Sequence, residues 1–341
     1  MSALEKLFGG EELSEAEWYS LIIDDEHGEE IRAEALSRRD SVYGRRIFAR
    51  GLIEFTSYCR NDCLYCGLRC SNRKAERYRL SSEEILSSAE NGYKAGFRTF
   101  VLQGGEDPYF TDQRLTGIVS ELRASFPEAA ITLSVGERSY ESYKALKEAG
   151  ADRYLLRHET ADREHYSYLH PSSMSFDNRI RCLYDLKALG YQTGAGMIVG
   201  SPHSSARTLS EDMVFLSRLR PEMVGIGPFI PHKDTPFRSE ERGSVELTLR
   251  MLSLVRLMNP HVLLPSTTAL GTADENGHIR GFEAGANVIM PNLTPQRERR
   301  KYLLYNGKKI TGEEAAENIG HLRAELAAHG YELSMERGDY R

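Results

Sequence analysis

The sequence predicts a complete (β/α)8 barrel of the TIM type, preceded by a helical extension. Eight short apolar runs alternate with amphipathic helical stretches from Gly51 onward. Connections of this length force neighbouring strands to pair in parallel. Eight such units in about 240 residues match the usual size of this barrel. An open doubly wound sheet is the alternative, but no G-x-G-x-x-G follows the first strand, which argues against a dinucleotide-binding sheet.

The first element is a helical extension over residues 1–50. Its apolar side chains recur at helical spacing, and they are Leu4, Leu7, Leu13, Trp18, Leu21 and Ile22. The barrel follows over residues 51–310. Residues 311–341 are predicted to form a C-terminal helix and tail.

Within the barrel, strands and helices are predicted to alternate. The expected strands cover residues 52–55, 99–102, 130–133, 153–156, 195–199, 223–226, 262–264 and 287–290. The expected helices cover residues 82–95, 115–126, 140–149, 177–189, 209–219 and 247–258. Gly96, Gly150 and Gly190 each follow a helical run, where glycine commonly ends a helix.

Charge and hydropathy restrict the class of partner. The 341 residues contain 44 Lys and Arg against 50 Asp and Glu, a net charge of −6. This balance argues against general affinity for nucleic acid or for anionic lipid. No apolar run approaches the roughly 18–20 residues that span a bilayer, and the N-terminus lacks a signal-peptide pattern. We therefore predict a cytoplasmic protein that has neither nucleic acid nor a membrane as its partner.

Polar segments follow the predicted strands at their carboxyl ends. They are residues 59–70, 103–107, 134–137, 157–160, 266–268 and 291–292. Chemistry in a barrel is located where strands end and loops begin. We expect these segments to line one common mouth.

Four of the five cysteines lie between residues 59 and 70. Cys59, Cys63 and Cys66 form a C-x3-C-x2-C pattern, and three thiolates can hold three irons of a [4Fe–4S] cluster. The fourth iron is then open to a small molecule. The alternatives are a structural zinc site or a four-cysteine cluster that includes Cys70, and free thiols without metal.

An aromatic residue, Tyr65, directly precedes the last cysteine of this pattern. The segment resembles the signature of the radical SAM superfamily. The resemblance implies one [4Fe–4S] cluster whose open iron binds S-adenosylmethionine (SAM), and a barrel of the radical SAM kind. Reductive cleavage of SAM would then release a 5′-deoxyadenosyl radical. Residues 104–106 resemble the Gly-Gly-Glu element of the superfamily, with Glu106 at the methionine amino group.

Longer segments resemble the HydE family of [FeFe]-hydrogenase maturases. The matching segments are residues 59–69, 101–109, 151–161, 194–200, 223–232 and 286–292, and the resemblance extends over about residues 45–310. It implies that the adenosyl radical attacks an iron–cysteine precursor carrying carbon monoxide and cyanide, at its cysteine sulfur. The product leads to the di-iron subcluster of the hydrogenase H-cluster. The maturases HydG and HydF and an external electron donor are the implied partners.

The same resemblance assigns roles residue by residue. Catalytic and metal positions are Cys59, Cys63 and Cys66. Cofactor-binding positions are Tyr65, Gly105, Glu106, Ser134, Glu159 and Arg179. Substrate-binding positions are Thr132, Arg157, Thr267 and Thr268.

Chemistry supports the assignments of Glu159 and Arg179. A carboxylate such as Glu159 can accept from the two ribose hydroxyls, and a guanidinium such as Arg179 can bind a carboxylate as a fork. The sequence is also compatible with structural roles, in which Glu159 pairs with Arg157 or His158 and Arg179 lies on a helix surface. In the same way, Thr267 and Thr268 could be ordinary strand residues.

The prediction includes one difference from some relatives, one basic segment and two competing functions. No cysteine follows Cys182, which excludes the second cluster that some relatives hold near the C-terminus. The basic run at residues 296–301 is either a solvated helix face or a docking patch for a partner maturase. The competing functions are another radical SAM reaction of the biotin synthase and methylornithine synthase branch, and a non-catalytic iron–sulfur carrier.

Overall fold

The computed structural model describes residues 1–308 and 318–341. Its strands are β1 (Arg46–Ala49), β2 (Gly51–Thr56), β3 (Thr99–Gly104), β4 (Ala130–Ser134), β5 (Arg153–Leu155), β6 (Gln192–Ala195), β7 (Ile198–Val199), β8 (Met223–Val224), β9 (Gly227–Pro228), β10 (Val288–Ile289) and β11 (Glu332–Ser334). Its helices are α1 (Ala3–Gly9), α2 (Glu15–Ile22), α3 (Gly28–Tyr43), α4 (Ser82–Lys94), α5 (Asp112–Ser125), α6 (Tyr140–Glu148), α7 (Arg163–Leu169), α8 (Phe176–Ala188), α9 (Ala206–Leu219), α10 (Val245–Met258), α11 (Thr268–Ala273), α12 (Gly277–Glu283), α13 (Gln296–Arg299) and α14 (Ile319–Ala328).

A six-stranded parallel sheet forms the centre of the fold, in the order β2-β3-β4-β5-β6-β8. Each of these strands is joined to the next by at least one helix, and such crossovers impose parallel pairing. Every residue of β2 is buried, because the interior side chains cover one face and the helices cover the other. The first six predicted strands and the six predicted helices are confirmed, with ends shifted by up to three residues.

The fifth and sixth predicted strands are each broken near the mouth, which creates the separate β7–β9 pair. Gly196 lies in the break with a φ of +152°. A Cβ at this position would lie 2.0 Å from the carbonyl oxygen of Gly225. The two neighbouring chains approach this closely only because Gly196 has no side chain.

The predicted strand at residues 262–264 is wrong as a continuous strand. The backbone N–H of Leu264 donates to the Asn287 side-chain Oδ1 at 2.9 Å, and Pro265 has no N–H to donate. Both effects interrupt the ladder. Single parallel bridges remain at Leu263 with Met223 and at Pro265 with Val288.

The two ends of the chain meet beneath the central sheet. The strand β1 pairs in parallel with both β10 and β11, so each end region contains a strand in addition to its predicted helices. Arg153, at the start of β5, donates to the backbone oxygen of Arg337 at 2.9 Å and to Asp339 Oδ1 at 2.7 Å. The C-terminal tail is thereby fixed below the strands. The predicted domain boundary at residues 310 and 311 lies outside the described residues.

Most helices around the sheet begin at serine caps, whereas α5 begins at Thr111 and α7 at Asp162. Ser81 and Ser205 both form capping boxes, with Glu84 and Thr208 as the returning partners. Such caps satisfy backbone N–H groups that have no partner within the helix. Among the residues that the structure describes, no helix has the length and apolar character needed to span a bilayer.

Candidate functional site

A cavity of about 310 Å³ opens at the carboxyl ends of the strands. Eight of the residues singled out in the sequence line it: Cys63, Tyr65, Cys66, Ser134, Arg157, Glu159, Arg179 and Thr267. They come from the cysteine segment and from the ends of several strands, as the barrel prediction requires. The expectation of a common mouth is confirmed for these eight residues.

The cysteine loop, residues 57–80, connects β2 to α4 and is held in shape by local bonds. Arg69 forms a fork with Asp62, with Nε–Oδ1 and Nη2–Oδ2 distances of 2.7 and 2.5 Å. The backbone N–H of Leu64 donates to the oxygen of Leu169 at 2.9 Å. The loop is therefore tied both to itself and to the end of α7, so the thiols are positioned by the fold.

Cys59 is not part of the cavity lining. It contacts Gly105 at the end of β3, where an added Cβ would come within 2.2 Å of the Tyr58 oxygen and 2.6 Å of the Cys59 Cβ. In the structure, the missing side chain of Gly105 thus allows the cysteine loop to approach the sheet. Cys70 is exposed, unlike the half-buried Cys63 and Cys66.

Burial raises the pKa of all three thiols of the C-x3-C-x2-C pattern. Burial, followed by the proximity of Cys59, raises the pKa of Cys66 to about 12. Burial also raises the pKa of Cys63, with Cys66 as the next cause, and it raises the pKa of Cys59. Such thiols become thiolates only when a positive partner offsets the charge, and bound metal does so.

The cysteine segment is compatible with a multi-iron cluster. Within residues 1–308 and 318–341, no three His, Cys, Asp or Glu side chains are grouped so that they could hold one metal ion. The ligands of a [4Fe–4S] cluster bind different irons, so they surround the cluster rather than a single ion. Cys59, Cys63 and Cys66 remain the predicted ligands.

Tyr65 lies in the cavity wall and is oriented by His170. The imidazole Nδ1–H donates to the backbone oxygen of Tyr166 at 2.9 Å, which leaves Nε2 to accept from the Tyr65 hydroxyl at 3.3 Å. Burial, followed by the charge of Arg179, lowers the pKa of His170 to about 3. The imidazole therefore stays neutral and keeps this acceptor.

Glu159 combines backbone strain with an unsatisfied carboxylate. Its φ is +68°, a left-handed value that is uncommon for a residue other than glycine. Its Oε2 lies 3.4 Å from Arg157 Nε, and within the described chain neither atom makes a hydrogen bond. Strain and an unpartnered buried oxygen in a cavity together indicate a ligand-binding residue.

Arg179 is buried in the cavity wall, so it is not a surface helix residue. Its Nε donates to Glu137 Oε1 at 2.6 Å and its Nη1 to the backbone oxygen of Arg157 at 2.6 Å. Burial acts to lower the pKa of Arg179, but Tyr166 and Glu137 outweigh it and raise that pKa above its usual value. The cation is thus held rigidly, and no hydrogen bond from Nη2 occurs within residues 1–308 and 318–341.

Five predicted residues lie outside the cavity lining: Cys59, Gly105, Glu106, Thr132 and Thr268. Glu106 lines a neighbouring polar pocket of about 380 Å³, where it accepts from the Glu137 N–H at 2.8 Å and from Arg60 Nε at 3.1 Å. Thr132 lies two residues before Ser134 on β4, on the same face and therefore deeper in the interior. Its Oγ1 is buried and lacks a hydrogen-bond partner in the described chain.

The two threonines at the far side differ from each other. Thr267 lines the cavity, but its hydroxyl donates to the Ile226 oxygen at 3.2 Å and accepts the Leu270 N–H at 3.4 Å. It is therefore the N-cap of α11, a structural role that the sequence prediction missed. Thr268 is the first residue of that helix and is not part of the lining.

Sequence reasoning also missed Tyr302 and Tyr305, which line the cavity from the segment after β10. No periodicity marks them, because this segment contains only the short helix α13. A buried ion pair between Lys308 and Glu54 fixes the segment, and the same Lys308 Nζ donates to the Tyr302 oxygen at 3.0 Å. Only the folded structure brings these distant residues together.

The similarity to known proteins agrees with this geometry. Residues 53–216 match the sequence family described as the radical SAM superfamily. The chain is 47% identical over 270 residues to the [FeFe] hydrogenase maturase subunit HydE of Thermotoga maritima, covering 79% of this chain and 77% of that protein. It is 30% identical over 301 residues to 3-methylornithine synthase of Methanosarcina barkeri, covering 86% and 83%. The crystal structure of methylornithine synthase (PylB) is similar with a TM-score of 0.81 and 27% identity, covering 98% of this chain and 97% of that one.

Proposed function

The chain belongs to the radical SAM superfamily and, within it, to the HydE family of [FeFe]-hydrogenase maturases, and we propose that it converts an iron–cysteine precursor of the H-cluster. Enzymes of this superfamily use a [4Fe–4S] cluster and SAM. When bound, the cluster supplies the electron that cleaves SAM reductively and yields the 5′-deoxyadenosyl radical. The side chains of this protein would bind and orient SAM and the substrate.

One observation carries the proposal. The strained Glu159, whose Oε2 forms an ion pair with Arg157 but no hydrogen bond in the described chain, and the buried cation Arg179 line the same cavity as Cys63 and Cys66. A carboxylate accepts from vicinal ribose hydroxyls, and a guanidinium nitrogen donates to an amino-acid carboxylate. SAM contains both groups, so this charge arrangement suits it.

Each cofactor-binding residue then has a task. Arg179 would donate through Nη2, since Nε and Nη1 are already used. Tyr65 would offer its ring, because its hydroxyl is held by His170. Ser134 would offer a hydroxyl from the cavity wall. Glu106 would need to exchange its bonds to Arg60 and Glu137 to reach the methionine amino group, and Gly105 would act by bringing the cysteine loop close.

The substrate would lie deeper than SAM. Thr132 offers a buried hydroxyl there, and Arg157 offers an Nε beside Glu159; neither group makes a hydrogen bond in the described chain. A precursor with cyanide and cysteine carboxylate groups needs such donors. We assign attack to its cysteine sulfur. Thr268 would contribute from the far side of the cavity. Thr267, as the N-cap of α11, would only position that helix.

We also propose that the strands act as a complete (β/α)8 barrel. Support comes from parallel bridges that continue the order beyond β8, through Leu263 and Pro265, to β10. A further bridge joins Leu52 to Asn292, beside a hydrogen bond from the Leu52 N–H to the Pro291 oxygen at 2.9 Å. A closed ring would keep water and oxidants away from a radical intermediate.

Within hydrogenase maturation, HydG would supply the substrate, and HydF would be a further partner. The deciding experiment is product analysis after anaerobic turnover of the reconstituted enzyme with a synthetic iron–cysteine complex carrying carbon monoxide and cyanide. We expect consumption of the complex coupled to formation of 5′-deoxyadenosine or its adduct. SAM cleavage without conversion of this complex, but with rearrangement of an amino acid, would instead place the enzyme with methylornithine synthase.

A further inference from the structure

The three predicted cluster ligands differ in their access to the cavity. Cys63 and Cys66 line the cavity that would contain SAM and the substrate. Cys59 is not part of that lining and lies against the end of β3. It is joined directly to the partly exposed Tyr58, so the side of the loop that carries Tyr58 is one residue from a cluster ligand and lies outside the cavity.

An exposed aromatic–cationic stack lies on that side. Tyr58, which is covalently joined to Cys59, and Tyr109 are 36% and 46% exposed. The Arg79 guanidinium carbon lies 3.8 Å from the centre of the Tyr58 ring and 4.8 Å from that of Tyr109. The guanidinium carbon of Arg114 lies 3.7 Å from the Tyr109 ring centre. Exposed tyrosine and arginine are the residue types enriched in the central parts of protein interfaces.

The charge of this region opposes that of the whole chain. Residues 57–80 contain six Lys and Arg and two Asp and Glu, which gives 6 − 2 = +4, whereas the whole chain carries −6. Three of these cations pair with carboxylates outside the segment: Arg79 with buried Asp107, Arg60 with Glu106 and Lys74 with Asp234. When these partners and Arg114 are counted, the local excess is 7 − 5 = +2. In residues 1–308 and 318–341, Arg73, Arg77 and Arg114 have no carboxylate partner. An acidic protein would be attracted to this region although the molecule as a whole repels it.

Arg77 links the two parts of this basic region. Its guanidinium donates to the oxygens of Ser57 and Leu68, and to that of Arg69 at 2.8 Å. The segment before Cys59 and the segment that leads to Arg73 are thereby brought to the same guanidinium. The charge and the exposed tyrosines therefore belong to one continuous surface.

We propose that Tyr58, Arg73, Arg79, Tyr109 and Arg114 form the docking surface for a small acidic protein that carries a one-electron redox group. We call this set the tyrosine–arginine surface. The inference rests on the proposed function, because it assumes that Cys59 is a cluster ligand. In the step, the reduced carrier loses one electron and the [4Fe–4S]2+ cluster gains it, and no bond forms or breaks.

The test measures how fast the reconstituted enzyme is reduced, from the loss of cluster absorbance in anaerobic stopped flow. The probe is purified flavodoxin hydroquinone, an acidic one-electron donor, and dithionite is the small reductant that needs no docking. The test variant is the double substitution Arg73→Glu and Arg114→Glu, with Tyr109→Ser as a second variant. Arg323→Glu is the matched control, because Arg323 is exposed on α14 near β11, away from the mouth.

At low salt we expect the double variant to lower the second-order rate constant with flavodoxin at least about tenfold. Its dependence on salt should also be weaker than in the wild type, while Tyr109→Ser lowers the rate without changing the salt dependence. Reduction by dithionite and the behaviour of Arg323→Glu should match the wild type.

Wild-type rates with flavodoxin in both test variants would overturn the inference and leave the proposed function intact. Wild-type reduction combined with lost binding of a partner maturase would overturn it as well, and would assign the surface to that maturase. If dithionite finds no reducible cluster in the wild type, the proposed function and the docking surface both fail.

Discussion

At the scale of single residues, the site holds its two charged groups by different means. Glu159 is kept in a left-handed conformation by a hydrogen bond from its N–H to the Gly196 oxygen at 3.0 Å and by a second one from the Ile198 N–H to its own oxygen at 3.1 Å. Such a conformation costs about 1–3 kcal/mol. Arg179 is fixed by side-chain bonds instead. Both groups are therefore positioned before any ligand arrives.

The replacement Arg179→Lys should weaken SAM binding although it keeps the charge. The three N–H donors of lysine radiate from a single nitrogen, so they cannot replace Nε, Nη1 and Nη2, which point at separate partners from a planar group. We expect a loss of about 1.5–3 kcal/mol, the usual contribution of a charged hydrogen bond. Equilibrium binding of SAM to the reconstituted variant measures it. Unchanged affinity would remove Arg179 from the cofactor site.

The cysteines should separate into ligands and a bystander. Alanine at Cys59, Cys63 or Cys66 should abolish the single [4Fe–4S] cluster, which has about four irons per chain. Cys70→Ala should retain it, because the Cys70 side chain is exposed, whereas the three ligands are partly buried. Iron content and electron paramagnetic resonance after anaerobic reconstitution give the answer. A Cys70→Ala protein without a cluster would mean that the fourth iron is closed to SAM.

At the scale of elements, the sequence predicted the structure where patterns are regular. Helical periodicity, with glycines after the ends of some helices, located α4 to α6 and α8 to α10, and apolar runs located the first six strands. The pattern failed at residues 262–264, because the Asn287 side chain takes a ladder position that no spacing rule reveals. Charged end segments likewise concealed β1 and β11, whose partners are distant in sequence.

The residues of the candidate site also divide into those that the sequence pattern predicted and those that it did not. Motif spacing identified the cysteines, and strand ends identified Ser134, Arg157 and Glu159. His170, Tyr302 and Tyr305 escaped because they reach the cavity only through tertiary packing. Nothing in the sequence pattern indicated that Thr267 caps α11, since threonine is equally common in strands.

The element α11 provides a prediction that separates structure from substrate binding. Thr267→Val should destabilise the protein by about 1 kcal/mol, because the N-cap bond to Leu270 is lost, whereas Thr267→Ser should not. Thr268→Val should leave the cluster and SAM affinity near wild type, yet slow conversion of the iron–cysteine complex. Thermal unfolding and single-turnover assays distinguish these effects. Wild-type conversion by both valine variants would make the threonines purely structural.

At the scale of the whole molecule, the tail closes the fold from below. Arg153 is fully buried and Asp339 supplies its carboxylate, with Gln192 Nε2 donating to the same oxygen at 2.9 Å. A buried cation that loses its partner is strongly destabilising. The predicted C-terminal tail thus contributes to stability although it is remote from the site.

Asp339→Asn should therefore lower the free energy of unfolding by about 2–3 kcal/mol, less than for a fully buried pair because Asp339 is partly exposed. Burial acts to raise the pKa of Asp339, but its bond to Arg153 outweighs burial and lowers that pKa. The wild type should lose this stabilisation as the pH falls below about 4, where the unfolded carboxyl binds protons. Urea unfolding at pH 7 and at low pH measures both effects. Arg323→Glu serves as the control, and equal stability of Asp339→Asn and wild type would contradict the prediction.

The pairing of β1 with β11 has a consequence for how the protein folds during its synthesis on the ribosome. Arg46 pairs with Glu332, so the β1–β11 pair beneath the central sheet cannot form until nearly the whole chain has been made. Cys59, Cys63 and Cys66 emerge early by contrast. At a synthesis rate of about 5–20 residues per second, roughly 10–50 s pass between the synthesis of these cysteines and that of β11. Throughout that interval the thiols belong to an unfinished chain and are open to oxidants, so anaerobic surroundings protect nascent molecules as well as finished ones.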